Sequence, residues 1–286
     1  MSRNHGIDVV MLTKNSYSKQ PKVFERCLQS IKENVPVNKF IIVDAYSIDR
    51  TVEVIKKYFN DVVVVKTRAY RGKAREIGIK FVETEYFMFV DDDVILCKDW
   101  FKKAVKYLDN PRVGAVWGVA IPAYPWIYKK VKIMSKLYKI QDPRDRLILE
   151  FLKRGGTHDI LIRTEIVKDI DIPNHLHIYE DWYIKKWVET KGFRFLPVKE
   201  PYCLHFHKPL SRKERANLSY WEAMLNLKYN IRTFKEMILY GFLALIKALA
   251  LLLGTGSPKI ATDQAWYYIY LAIGAIKVRY NMDLIK

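Results

Sequence analysis

Short apolar runs alternate with polar loops and helically spaced apolar positions along the N-terminal part of the chain. Ile7 to Thr13 reads as a buried strand. The polar loop Lys14 to Gln20 follows, and Pro21 falls where the first turn of a helix tolerates it, ahead of Val23, Phe24, Cys27, Leu28 and Ile31 at helical spacing. Phe40 to Val43 predicts a second strand ending at Asp44, with Ser47 or Asp49 placed to cap a helix through Tyr58. The unit repeats as Val62 to Val65, a basic loop, and a helix from about Lys73 to Val82. Alternation of this kind implies an α/β fold with a mostly parallel, Rossmann-like sheet flanked by helices, whose ligand crevice lies beyond the carboxyl ends of the strands.

The stretch Tyr86 to Asp93, Y-F-M-F-V-D-D-D, gives that crevice its chemistry. Five apolar residues run straight into three carboxylates, as a buried parallel strand does when its end opens into a site. Asp91, Asp92 and Asp93 repel one another unless a cation sits among them, and oxygen ligands favour Mg²⁺ or Mn²⁺. Taken alone, the run also fits a solvated acidic turn. Asp44 and the loop carrying Arg68, Arg71, Lys73 and Arg75 fall after strands too, so all three groups are expected on one sheet edge. Cations facing a metal site suit a diphosphate.

Beyond Val94 the spacing predicts a helix with Trp100, Phe101, Ala104, Val105 and Leu108 on one face, then a strand from Val113 to Ile121. The aromatic and basic segment Tyr124 to Tyr138 either borders a binding groove or forms an amphipathic helix. Gly155-Gly156-Thr157 precedes a strand, Asp159 to Arg163. Asn174 to His177 leads into a helix from Glu180 through Glu189, whose acidic start also suits a helix dipole. His205 and His207 alternate around Phe206 at a strand end and share a face.

The last part of the chain changes character. Ser211 to Glu236 predicts a basic amphipathic helix suited to an anionic membrane surface. Met237 to Leu253 then has almost no polar face beyond Lys247, and Trp266 to Val278 supplies a second, shorter apolar segment past the break at Gly254 to Pro258. A seventeen-residue run rises about 25 Å, marginal for a full span. A partly inserted hairpin is therefore expected, with docking on the rest of the protein or a subunit interface as the alternatives.

Composition narrows the partners. The 286 residues are 50% hydrophobic, enough for a sizeable core, and 49 Lys and Arg against 31 Asp and Glu give a net charge of +18. That charge points to polyanions: nucleic acid, anionic lipid or phosphorylated substrates. Cys27, Cys97 and Cys203 have no metal-ligand spacing and leave an odd one over, which favours a reducing compartment. Met1 to Val10 has no apolar core of signal-peptide length, so export is not expected.

The residues also carry a family resemblance over roughly residues 7 to 207. V-D-x-x-S-x-D-x-T at Val43, Asp44, Ser47, Asp49 and Thr51 resembles the nucleotide-binding signature of family-2 glycosyltransferases of the GT-A fold. Gly72 to Gly78 resembles that family's A-R-N-x-G segment, Asp91 to Asp93 its D-x-D motif, and Glu180-Asp181-Trp182 its E-D motif. Ala45 and Glu76 depart from the pattern, at positions where the family usually carries a polar residue and an asparagine.

The resemblance implies a donor site of Thr13, Asp44, Arg71, Arg75, Asp91 and Asp92, a metal held by Asp93 with help from His205 or His207, and Asp181 as general base, with Glu180 as second choice. It also implies Mg²⁺ or Mn²⁺, a UDP- or GDP-sugar donor, and a polyprenyl-phosphate or glycan acceptor. The expected division is a catalytic domain over 1–207 and a membrane-associating helical region over 208–286, at the cytoplasmic face of a membrane. A nucleotidyltransferase shares the acidic and basic ingredients but leaves Glu180-Asp181 without a role. A non-catalytic basic module for nucleic acid or anionic lipid leaves the acidic cluster unexplained, so no nucleic-acid partner is expected.

Overall fold

The computed structural model describes residues 6–176, 178–207 and 211–283. His177, the first residues of the 208–286 region and Met1 to His5 lie outside the described residues. Two compact units emerge, one formed by residues 1–123 and 144–207 and the other by 124–143 and 208–286.

The first unit is a mixed sheet of eight strands. They are β1 (Ile7–Thr13), β2 (Val37–Asp44), β3 (Val62–Lys66), β4 (Tyr86–Val90), β5 (Val94–Leu96), β6 (Val113–Pro122), β7 (Asp159–Arg163) and β8 (Arg194–His205), in spatial order β3-β2-β1-β4-β7-β6-β8-β5. β1 pairs in parallel with β2 and β4, β2 with β3, and β6 with β8, whereas β7 runs antiparallel to β4 and β6. One edge therefore collects the carboxyl ends of β1 to β4, β6 and β8 together with the amino end of β7. Register confirms the gathering: Thr13 lies opposite Asp44, Val90 opposite Asp159, and Val94 opposite His205.

Helices cover the sheet because their apolar stripes match its faces. In this unit they are α1 (Ser16–Lys19), α2 (Pro21–Asn34), α3 (Thr51–Tyr58), α4 (Arg71–Ile79), α5 (Trp100–Val105), α7 (Pro143–Phe151, its first residue in the second unit), α8 (Thr164–Val167) and α9 (Glu180–Thr190); α6 (Pro125–Leu137) belongs to the second unit. Pro21 opens α2, whose Phe24, Cys27, Leu28 and Ile31 are fully buried, each large side chain contributing about 1.5–3 kcal/mol. Gly78 brings α4 onto β1, where a Cβ would lie only 2.5 Å from a Val10 methyl.

Three local expectations change. Val94–Leu96 is a short strand ahead of α5, drawn out of the helical reading by antiparallel pairing with β8. Neither Ser47 nor Asp49 is the cap residue of α3. Arg50 holds that position, Asp49 accepts from Thr51 N–H one residue later, and Ser47 Oγ accepts from Asn15 N–H instead. The helix expected over Ser211 to Glu236 is α10 (Arg212–Lys228), and Glu236 belongs to the next helix.

The second unit is helical. α10 starts in a capping box between Ser211 and Glu214, α11 (Phe234–Thr255) in another between Thr233 and Glu236, and Gly256, at φ 66°, ends α11 before α12 (Pro258–Asp283). α11 and α12 run back against each other, with Phe234 beside Arg279 and Gly241 against Ala272. Ala223, Met237, Leu271, Ala275 and Val278 form their seam with α10. Lys247 packs over the rings of Tyr268 and Tyr240 at 4.3 and 5.1 Å. On α11, Leu239, Phe242, Leu245, Ile246, Leu249 and Leu253 stay exposed at helical spacing. Among the described residues α11 is the one helix long and apolar enough to cross a membrane.

Candidate active site

The three aspartates after β4 separate instead of converging. Asp91 Oδ1 accepts from Arg75 Nη2 at 3.0 Å; burial opposes its ionisation, but Arg75 and then Arg71 outweigh it and hold the carboxyl below its usual range. Burial pushes Asp92 up to about 6, partly offset by a hydrogen bond from Ser16. Asp93 meets His205 Nε2 at 3.2 Å and His207 Nδ1 at 3.9 Å. Of the three carboxylates, Asp93 is the one beside the two histidines. Each aspartate takes a different partner, from α4, α1 and the end of β8, while Asp93 and Asp91 still add to the rise at Asp92.

Asp93, His205 and His207 offer donor atoms that all lie within 4.8 Å of one another, a set that fits a divalent cation. Two ring nitrogens beside one carboxylate suit Mn²⁺ better than Mg²⁺, which prefers oxygen. Burial pulls His205 down, but the hydrogen bond and charge of Asp93, with Asp91 and Asp92, outweigh it and raise the imidazole. His207 is lowered by burial and by the neighbouring His205. Phe206 N–H donates to the Asp93 carbonyl at 2.9 Å, tying the end of β8 to the aspartate turn.

The opposite wall is α4 and the start of α9. Arg75 is almost wholly buried, lies 4.8 Å over the Phe89 ring and reaches Glu180 Oε1 with Nε at 3.7 Å; Arg71 Nε approaches the same oxygen at 3.8 Å. Nε and Nη1 of Arg75 and Oε2 of Glu180 are buried without hydrogen-bond partners. Such groups are costly to leave unmatched. Lys73 departs from the expected basic loop: it turns to Glu76 at 2.7 Å and Asp171 at 2.9 Å. Glu76 also accepts from Ile172 N–H, so it fastens α4 to a neighbouring loop. Arg68 lies over the Tyr46 ring.

Asp181 is buried at the first turn of α9, and Arg154 Nε reaches its two carboxylate oxygens at 3.0 and 2.7 Å. Burial pushes the Asp181 carboxyl up to about 6; Arg154 acts the other way and Glu180 adds to the rise. The Arg154 guanidinium also lies 4.7 Å over the ring of Tyr179, which sits at φ 66° immediately before the acidic pair. A bulky side chain in that conformation costs about 1–3 kcal/mol and is held by its surroundings. Asn15 and Tyr46, at φ 50° and 56°, border the same sheet edge near Asp44.

Asp44 is fully buried and accepts from Thr13 Oγ1 at 2.8 Å, Ser47 N–H at 2.8 Å and Ser47 Oγ at 2.5 Å. Most of its accepting capacity is taken up by these bonds, which fix the end of β1 and the turn after β2. Reading the sequence missed Arg154, which carries no signal beyond its place before Gly155, itself at φ 89°. It also missed the buried cluster of His158, Asp159 and Cys203. His158 stacks on His205 at 5.6 Å, and burial, then His205, lowers its imidazole to about 4.

Known proteins share this fold. The mannosyltransferase PcManGT of Pyrobaculum calidifontis, solved with GDP-Man and Mn²⁺, superimposes with a TM-score of 0.62 at 17% identity, over 96% of this chain and 87% of that one. TarS 1–349 of S. aureus, solved with UDP-GlcNAc, gives 0.54 at 17% identity over 97% and 92%. By sequence, the poly(ribitol-phosphate) beta-N-acetylglucosaminyltransferase TarS of Staphylococcus aureus (strain Mu50) is 27% identical over 182 residues, 58% of this chain and 30% of its own length. The SPbeta prophage-derived glycosyltransferase SunS of Bacillus subtilis (strain 168) is 33% identical over 83 residues, 28% and 19% of the two chains. The chain thus spans less than a third of the curated relatives it matches. Residues 8–171, more than half of the chain, match the profile of Glycosyl transferase family 2, and the chain belongs to that family.

Proposed function

We propose that this protein is a metal-dependent, inverting glycosyltransferase that moves a sugar from a UDP- or GDP-linked donor to a lipid-linked or glycan acceptor at the cytoplasmic face of a membrane. The observation that carries the reading is the pairing of two walls on one sheet edge. Asp93, His205 and His207 form one. Buried Arg75, Glu180 and Asp181 form the other. Nucleotide-sugars bound to PcManGT and TarS support the donor class.

A divalent cation held by Asp93 and the two histidines would neutralise the charge leaving with the nucleoside diphosphate. Arg71 and Arg75 add positive charge on the same side. Asp91 and Asp92 border the nucleoside end, and Thr13 and Asp44 shape its base pocket. Glu180 Oε2, buried and unbonded, suits a donor-sugar hydroxyl. Asp181 takes the acceptor hydroxyl's proton as that oxygen attacks the anomeric carbon, the bond to the diphosphate breaks, and the configuration inverts. For an acceptor that is already a phosphate anion, Asp181 orients and does not deprotonate. The exposed apolar face of α11 supports attachment to lipid as a surface or hairpin anchor.

The test screens purified protein with Mn²⁺ against UDP- and GDP-sugars, reading thermal stabilisation and donor hydrolysis. One donor at a hundredfold excess over its Kd should stabilise by about 2.7 kcal/mol, with the effect lost in Asp93→Asn. If no nucleotide-sugar stabilises the protein or is turned over, the reading fails.

A further inference from the structure

A second group of ligand-type side chains lies beneath the proposed catalytic centre. His158 and Asp159 come from the start of β7 and Cys203 from β8, and all three are buried. Their donor atoms fall within 4.8 Å of one another. His158 Nε2 lies 3.1 Å from Asp159 Oδ1 and 3.3 Å from the Gly118 carbonyl on β6. The Asp159 carboxylate accepts from the Trp100 indole N–H at 2.9 Å and from the Cys203 thiol, yet its Oδ1 is buried with no hydrogen-bond partner.

That convergence is held together either by shared protons or by a bound cation. One proton on Nε2 serves the carbonyl and Oδ1 only as a shared, weaker bond, and burial raises the Asp159 carboxyl well above its usual range, so a proton on that acid is the alternative to a cation. A buried oxygen left unmatched is destabilising, and such groups ordinarily have a partner. The fold also reserves the space: at Gly118 a Cβ would lie 2.4 Å from Asp159 Oδ2, so a glycine is needed for the carboxylate to sit there.

We propose that His158, Asp159 and Cys203 bind a structural Zn²⁺, with the Gly118 carbonyl as the nearest further oxygen. One thiolate and one carboxylate cancel the charge of the ion, and a neutral imidazole completes a set that needs no outside counterion. Cysteine and histidine donors favour Zn²⁺ or Co²⁺ over Mn²⁺ and Mg²⁺, so this site and the Asp93 site select different metals. The ion would tie β6, β7 and β8 together just below His205, on which His158 stacks.

Co²⁺ is the probe, added to the full chain with Mn²⁺ in excess to fill the Asp93 site. The expected result is one equivalent of a thiolate-to-cobalt charge-transfer band, displaced by Zn²⁺ and not by more Mn²⁺. It should vanish in Cys203→Ser and persist in Asp93→Asn. A misfolded Cys203→Ser would decide nothing, so X-ray absorption of the Zn²⁺-loaded wild type supplies the second measurement, with one sulfur expected at about 2.3 Å. A wild type without the band, or a zinc shell of nitrogen and oxygen only, overturns the proposal and leaves a cluster filled by protons. A band lost in Asp93→Asn or retained in folded Cys203→Ser overturns it as well. Sugar transfer can survive every one of these outcomes, so the two readings fail separately.

Discussion

Replacing Arg154 by Met keeps most of the side-chain stem and removes the charge facing Asp181. Arg154 Nε lies 3.0 and 2.7 Å from the two carboxylate oxygens, with side chains 31% and 11% exposed. A hydrogen bond to a charged group contributes about 1.5–3 kcal/mol, and partial exposure of the guanidinium argues for the lower end. At 1.36 kcal/mol per pKa unit, roughly one unit is at stake. The Asp181 carboxyl, already pushed up to about 6, should therefore move to roughly 7. A base works only when ionised, so the acid limb of kcat/KM should shift upward by that amount. Activity at pH 6 should fall roughly fivefold and activity at pH 8 by only about a tenth. Arg154→Lys keeps the charge and should leave the limb near 6.

Stability supplies an independent reading with its own sign. The folded Asp181 pKa lies above the ordinary 3.8, so the native state binds more protons than the unfolded chain between those values. Stability from this group is therefore lost as pH rises from about 4 to about 6, by roughly 3 kcal/mol, and stays lost above. Arg154→Met extends that window upward, so its deficit in Tm should be larger at pH 8 than at pH 5. A pH-independent loss of activity, or an acid limb that does not move, would refute the pairing of Arg154 with a working base.

Other expectations follow from separate parts of the molecule. Asp93→Asn should abolish metal-dependent turnover with the circular dichroism unchanged, and full activity in EDTA would contradict the metal assignment. Asp181→Asn should depress turnover far more than donor affinity measured by calorimetry; survival of turnover alongside a dead Glu180→Gln would exchange their roles. Changing exposed Phe242, Leu245, Leu249 and Leu253 to Ser should remove roughly 6–12 kcal/mol of apolar burial in lipid if the four are fully inserted, a loss of about ten-thousandfold or more in liposome partitioning read by flotation. Unchanged flotation would place the lipid contact elsewhere. Gly78→Ala should lower the urea midpoint, corresponding to about 1–3 kcal/mol, because its Cβ meets Val10 at 2.5 Å.

Sequence alone determined the buried parallel strands at the start of the chain and the edge on which the chemistry gathers. Buried parallel strands are near-continuous apolar runs, and Ile7 to Thr13, Phe40 to Asp44 and Tyr86 to Val90 end at the polar residues that line the site. Those signals are local, because side-chain periodicity reflects neighbours along the chain. Tertiary structure decided which charges meet. It sent Asp91 to Arg75, sixteen positions away, paired Asp181 with Arg154 across twenty-seven, and turned Lys73 away to Asp171 across ninety-eight. It also drew Val94–Leu96 into a strand and set His158 and Asp159 beside Cys203. Partner choice among like-charged residues depends on which side chains share a low-dielectric space, and that space exists only once the sheet has closed around it.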